Sequence, residues 1–215
     1  MGGTYNPVHL GHLSLALEIR SRLDYDLVLL VPANMPAHKN RIEGATAAQR
    51  LDMLNRAVRR RRGLVVEECE IRRGGVSYTV DTVRHVLSSY RPSGKPGLVI
   101  GDDLLADFAS WRRAEELACL TDIIVAHRFN ASRQPFGFRH TYLDNPLVPI
   151  SSSEIRRRIA ARMPVARLLP KRVIRYIRKH RLYGYDRAPS RSAGASLPDQ
   201  GRSGYSPGER RGRKA

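Results

Sequence analysis

Gly2-Gly3-Thr4-Tyr5-Asn6-Pro7-Val8-His9-Leu10-Gly11-His12 reads as a glycine-rich turn running into the start of a helix. The two glycines let backbone N–H groups approach an anion with no Cβ in the way. Pro7 fixes a turn, and His9, Gly11 and His12 fall where the helix begins. A helix N-terminus already favours negative charge. Two imidazoles there can donate hydrogen bonds to triphosphate oxygens, and Gly11 leaves space beside a nucleotide. A lone histidine would be an ordinary loop residue. The spacing H-x-G-H behind G-G-T-Y-N-P points to phosphate binding.

Working outward, apolar runs alternate between two periods. Residues 10–23 place Leu10, Leu13, Ala16 and Leu17 on one helical face, and Leu27 to Val31 is a short apolar run stopped by Pro32, as in a buried parallel strand. The pattern recurs. A helix over 47–59 on Leu51, Leu54 and Val58 precedes a strand over 64–66. A helix marked by Val80, Val83, Leu87 and Tyr90 precedes a strand over 98–100. A helix around 111–119 leads to a strand over 122–126, and basic helices at 152–161 and 170–180 close the domain. Repeated strand–helix alternation predicts an α/β fold with an open, doubly wound parallel sheet. In such a sheet the phosphate loop follows a strand, yet only Met1 precedes Gly2. The first, central strand is therefore expected to be missing, with Met1 an internal residue of a longer natural chain.

The 215 residues suffice for one domain with a sizeable core. The expected boundaries are 1–185 for the domain and 186–215 for a disordered basic tail of Ser, Gly, Pro, Arg and Lys. That tail holds seven Lys/Arg and three acids, so residues 1–185 keep +14 of the total charge of +18. Such a field attracts nucleotides, nucleic acid or acidic surfaces without choosing among them. No run approaches the ~18 apolar residues of a membrane span. Cys69 and Cys119 stand in no C-x-x-C context, which argues against a zinc site or a disulfide scaffold and for a reducing cytoplasm.

Near the other end lies Ile150-Ser151-Ser152-Ser153-Glu154-Ile155-Arg156. Its hydroxyls could simply cap a helix. Three in a row exceed what one cap uses, and Arg156 one turn later could meet phosphates at the same helix end. Both readings stand at this point.

Together the two stretches resemble the H-x-G-H and I-S-S-T-x-I-R signatures of the adenylyltransferase superfamily with a Rossmann-like fold. Pro32-Ala33-Asn34-Met35-Pro36-Ala37-His38-Lys39 resembles the P-x-x-x-P-P-H-K segment of nicotinate-nucleotide adenylyltransferases. So do Ser77 to Thr82 (S-Y-T-V-D-T), Ile100-Gly101-Asp102-Asp103 with Trp111-Arg112, and Val173 to Ile177 (V-I-R-Y-I) with His180, Leu182 and Tyr183. Tyr5 stands for the usual Phe, Ser153 for Thr and Ala37 for a second Pro. The resemblance spans residues 1 to about 184.

It implies a role for each matching residue. Gly2, Gly3, Thr4, His9, Gly11 and His12 would hold the ATP phosphates, with Ile150, Ser151, Ser152 and Arg156 closing from the other side. Lys39 would add charge where the phosphates of both substrates meet. Thr79, Asp81 and Trp111 would serve the nicotinate side, and Gly101 and Asp103 would border the adenosine. His9, His12, Lys39 and Arg156 are the expected catalytic set. Asp81 and Asp103 could equally cap helices, and Trp111 could be core. Arg128, after His127, is a weak candidate on the nucleotide side, and His85, His127, His140 and His180 read as structural.

The implied reaction joins ATP to nicotinate mononucleotide, with Mg²⁺ travelling on the triphosphate and no dedicated metal cage in the protein. The motifs offer donors and cations rather than a Ser–His or Cys–His pair, as expected for an acceptor phosphate that is already ionised. Another phosphorylated acceptor, such as phosphopantetheine or nicotinamide mononucleotide, is the alternative within this chemistry. A nucleic-acid-binding protein using the Arg-rich helices is the alternative outside it, with no RNP, KH or helix-turn-helix signature behind it. No membrane partner and no specific nucleic acid are expected, and a homo-oligomer is left open.

Overall fold

The computed structural model describes residues 1–36, 42–127, 133, 135–146 and 148–185. In chain order the elements are β1 (Gly2–Gly3), α1 (Leu10–Arg22), β2 (Val28–Pro32), β3 (Met35–Pro36), α2 (Ala47–Val58), β4 (Leu64–Val66), α3 (Cys69–Arg73) and β5 (Val76–Ser77). They continue with α4 (Thr79–Tyr90), β6 (Gly97–Gly101), α5 (Ala114–Leu120), β7 (Asp122–Ala126), β8 (His140–Leu143), α6 (Ser152–Ala160) and α7 (Lys171–Lys179). The expected strand–helix alternation is present, and every strand pairing is parallel.

The strands form two three-stranded groups, β1-β2-β4 and β6-β7-β8, beside a β3-β5 ribbon. Where the first strand is expected to be missing, a two-residue strand, β1, is paired. Gly2 and Gly3 stand opposite Val31 and Pro32. The ladder continues through Met1, whose carbonyl accepts from Val31 N–H at 3.0 Å and whose amino group donates to Leu29 O at 2.9 Å. β1 thus pairs on its β2 side, and among the described residues no strand pairing joins the two groups. Side chains bridge where the backbone does not: Ile124 of β7 and Leu143 of β8 share one core with Val28 and Leu30 of β2. A second core gathers Val80 and Val83 of α4 with Leu117 of α5 and Phe108.

The helices form where capping and periodicity agree. Thr46 caps α2 in a reciprocal box: its Oγ1 accepts from Gln49 N–H at 3.2 Å, and Gln49 Oε1 accepts from Thr46 N–H at 2.9 Å. α2 buries Arg50, Met53, Leu54 and Ala57, so its inner face is turned by one residue from the Leu51–Leu54–Val58 stripe. α1 likewise buries Leu13, Ala16 and Ile19, leaving Leu17 at 40% exposure. The helix expected around 111–119 begins later, at Ala114. Short elements without clear periodicity, namely α3, β3, β5 and β8, were not signalled by the apolar pattern. Among the described residues no helix is long and apolar enough to cross a membrane.

Candidate active site

The loop after β1 is held from beneath. Tyr5 adopts φ 49°, its ring is buried, and its hydroxyl donates to Met1 O at 2.8 Å. A Cβ on Gly3 would stand 3.0 Å from Tyr5 Cζ, so this glycine makes room for the ring under the loop. Gly2 has open space on its Cβ side, as a residue facing a ligand needs. The Asn6–Pro7 peptide is cis. Asn6 is buried; its Nδ2 donates to Glu43 O, and its Oδ1 accepts from Ala45 N–H at 3.3 Å and Tyr183 Oη at 2.8 Å. One side chain therefore ties the loop to the approach to α2 and to the end of the domain.

Arg50 provides the second tie. It is 1% exposed on the inner face of α2. Its Nη1 donates to Thr4 O at 2.8 Å and Ala33 O at 2.6 Å, and its Nη2 to Asn34 O at 3.0 Å. A buried guanidinium is costly unless its donors find partners, and here carbonyls of two loops take both terminal nitrogens, while the buried Nε has no partner among the described residues. Burial lowers its pKa from the usual arginine value, and the Tyr183 phenol opposes that shift. Sequence reading missed Arg50. The available signal was an arginine one turn before Leu54 on the apolar face of a helix.

At the start of α1 the two histidines act as a unit. Their rings stack with centroids 3.6 Å apart, and His9 N–H donates to His12 Nδ1 at 3.2 Å. With Nδ1 accepting, the proton of a neutral His12 ring sits on Nε2, which makes that nitrogen a donor. His9 is buried, and a Cβ on Gly11 would lie 3.1 Å from its Nδ1. The space expected at Gly11 is bordered by the His9 ring.

The far motif docks on this loop. Ser151 caps α6, accepting from Glu154 N–H at 3.1 Å, so for this residue the capping reading is the one observed. Ser152 Oγ instead donates to Pro7 O at 2.9 Å, and Arg156 Nη1 donates to Asn6 O at 2.9 Å. Arg156 Nη2 also reaches Ser153 Oγ at 3.2 Å. Ile150, half-buried, donates its N–H to Val148 O at 2.7 Å just before the cap. Two stretches about 145 residues apart in sequence are thereby clamped together at adjacent carbonyls.

The remaining candidates form a second group, connected to the first. Thr79 opens α4, and Trp111 packs on Phe108 with ring centroids 5.1 Å apart. The Arg112 guanidinium lies 4.6 Å above the Tyr78 ring, which brings the Trp111 segment against the Thr79 segment. Asn34 links this pair to the loop after β1: its carbonyl is held by Arg50, its N–H donates to Ser77 Oγ at 3.1 Å, and its Nδ2 donates to Gly75 O at 2.8 Å. Asp81 faces Arg84 at 4.0 Å, an ion pair on an outer turn. Gly101 ends β6, and Asp103 follows in a single 3-10 turn beside buried Asp102, whose carboxylate lies 3.8 Å from His127 Nδ1. Lys39 and Arg128 lie outside the described residues, as does the tail from 186.

With that geometry in place, known proteins decide the family. A cytidylyltransferase-like family model matches residues 1–158. Relatives named "Probable nicotinate-nucleotide adenylyltransferase" are 45% identical over 183 residues in Borrelia garinii subsp. bavariensis (85% of this chain, 92% of the relative) and 35% identical over 184 in Lactococcus lactis (85% and 93%). The chain belongs to this nicotinate-nucleotide adenylyltransferase family. A Plasmodium falciparum nicotinic acid mononucleotide adenylyltransferase complexed with NaAD superposes with TM-score 0.71 at 18% identity, over 86% of this chain and 96% of that one. A Vibrio parahaemolyticus structure gives 0.60 at 20%, over 85% and 91%. At those identities the likeness speaks for the fold alone.

The one group of His, Cys and carboxylate side chains close enough to share an ion among the described residues is Glu67, Cys69 and His85. Its carboxylate is already engaged by Cys69 N–H at 2.8 Å, Arg72 at 3.2 Å and the Tyr90 hydroxyl at 2.6 Å. Burial, with Glu67 and Glu70 nearby, pushes the Cys69 thiol up to about 11, so it is protonated at neutral pH. That group holds β4 and α3 against α4; it is a satisfied polar core.

Proposed function

We propose that this chain transfers the AMP part of ATP to nicotinate mononucleotide, giving nicotinate adenine dinucleotide, a precursor of NAD, and pyrophosphate. The observation that carries the reading is the clamp of Ser152 and Arg156 on the Pro7 and Asn6 carbonyls. It sets hydroxyls, a guanidinium and the paired imidazoles around one helix start.

The acceptor is a phosphate monoester, already ionised at neutral pH. One of its oxygens attacks the α-phosphorus of ATP in line. The bond from that phosphorus to the bridging oxygen breaks, and pyrophosphate leaves with the electron pair. No proton need move before attack, so the protein's task is alignment and charge neutralisation. In this reading His12, with its Nε2 proton, donates to the triphosphate as charge shifts to the leaving group. His9 fixes the His12 ring by stacking and by its N–H. Gly2, Gly3 and Thr4 present backbone to the phosphates, Arg156 balances them from α6, and Lys39 joins where the two substrates' phosphates meet. Thr79 and Trp111 take the nicotinate ring, while Gly101 and Asp103 border the adenosine. Mg²⁺ arrives as part of the nucleotide substrate, held by phosphate and water. The product of such a reaction is used in the cytoplasm, where we place the enzyme.

The test is pyrophosphate release with a panel of acceptors. Nicotinate mononucleotide should be preferred over nicotinamide mononucleotide and phosphopantetheine by kcat/KM. Preference for either of the others would replace this assignment. ATP-independent, steeply salt-sensitive RNA binding without turnover would replace the enzyme reading altogether.

A further inference from the structure

Away from the phosphate loop, α2 and α7 run against each other and enclose a cleft of about 370 Å³ lined by Arg56, Arg59, Arg172, Arg175, Tyr176 and Lys179. Five of those six side chains are cationic, and no acid lines it among the described residues. The pairing is antiparallel. Tyr176 Oη donates to Asp52 at 3.0 Å, the stretch beyond α7 reaches Asn6 through Tyr183, and the start of α7 lies at the Arg59 end of α2. Arg50 holds the phosphate loop, and Arg56 is six residues further on, or about 9 Å along the axis at ~1.5 Å per residue. The cleft is thus distinct from the proposed catalytic site.

We infer that this cleft is a second anion site, one that takes a compact oligophosphate. Arg172 Nη1 is buried without a hydrogen-bond partner among the described residues. Lys171 and Arg172 sit in the first turn of α7, which has no acid there, although the positive end of the helix dipole penalises cations. Burial lowers the Arg172 pKa, and Arg59, Arg60, Arg175 and Arg61 add repulsion. These like charges repel one another, and a multivalent anion would relieve that repulsion. Tyr176 offers no platform for a base: Arg56 lies 5.0 Å over its ring, and His180 packs on it at 4.1 Å. The site therefore reads phosphates and ignores a nucleoside.

Calorimetric titration of the full chain with inorganic tripolyphosphate tests this, with ATP and adenosine as further arms. Two sites are expected in the wild type. Arg172→Gln/Arg175→Gln should weaken one of them at least about tenfold and keep turnover within about twofold. Arg59→Gln/Lys179→Gln, which alters other cations of the same lining, should do the same and stands in if the first variant folds poorly. His12→Ala should spare the cleft site. ATP and tripolyphosphate should bind the cleft alike, and adenosine not at all. Unchanged stoichiometry and affinity in both double variants would overturn the proposal. So would loss of binding to a single-stranded RNA oligomer with tripolyphosphate binding untouched, which would make this face a nucleic-acid surface.

Discussion

Replacing Arg50 by Ala should destabilise the fold and the site together, in amounts the structure bounds. Three hydrogen bonds to buried or half-buried carbonyls are lost, at 2.8, 2.6 and 3.0 Å. At ~1.5–3 kcal/mol for each bond from a charged donor, the ceiling is about 4.5–9 kcal/mol. Removing the guanidinium also recovers its desolvation cost, which is several kcal/mol for a buried ion. Water can reach Thr4 O and Asn34 O, whose bonds are only part-buried, more readily than Ala33 O. A net loss of about 3 kcal/mol follows, a large fraction of the usual ~5–15 kcal/mol. Urea unfolding of the two proteins measures it. Arg50→Lys is the companion variant: one ammonium cannot span three carbonyls of two loops, so it should recover less than half of the loss. The kinetic signature should be a fall in kcat exceeding any change in KM for nicotinate mononucleotide, because Thr4 shifts with the phosphate loop. A midpoint within about 1 kcal/mol of wild type would refute the view that Arg50 is the tie between the loops.

Four further outcomes are expected. His12→Ala should lose about 10²-fold or more in kcat with the fold intact; normal kcat in a folded variant removes His12 from the mechanism. Trp111→Ala should raise KM for nicotinate mononucleotide well beyond that for ATP and, because the ring also packs on Phe108, lower the melting temperature by a few degrees; equal defects in both KM values would make it core alone. Ser152→Ala removes a single docking bond to Pro7 and should cost about 1 kcal/mol of stability, read by urea midpoint, with a larger proportional loss in kcat. Deleting 186–215 should leave kcat/KM within about twofold; a tenfold loss would give those arginines a part in substrate capture.

The periodic part of the fold was legible. The long helices α1, α2 and α4 and the short apolar strands β2, β4, β6 and β7 appear where the sequence puts them, because burial of apolar side chains dictates them. What the pattern hid is short or polar. β3 and β5 are two residues each and exist because Asn34 bonds to Gly75 and Ser77 across them. α3 is set by Glu67 and Glu70, whose carboxylates are satisfied by long-range partners such as Tyr90 and Thr82. No single-residue hydropathy value encodes such pairings. The start of the chain is hidden for a related reason: Gly2 and Gly3 carry no apolar side chain, yet their backbone pairs with β2.

For the site, the motif positions were readable, but the division of labour within them was not. Three serines in a row leave open which one caps and which one docks; the fold gives Ser151 the first task and Ser152 the second. Gly3 reads as a residue whose backbone can approach an anion, and Gly11 as one that leaves space beside a nucleotide. Both also have an aromatic ring of their own loop, Tyr5 or His9, packed against the missing Cβ. The loop after β1 is shaped from within by its own rings and from outside by Arg50 and Tyr183, with Asn6 as the tie to Tyr183, none of which a donor-seeking reading would select. A site that works by alignment depends on such supports as much as on the donors themselves, because a displacement of about 1 Å can cost on the order of 10²-fold in rate. The buried polar residues around the loop are therefore where substitutions should alter kcat without touching a substrate, and Arg50, with three carbonyls on one side chain, is where that effect should be largest.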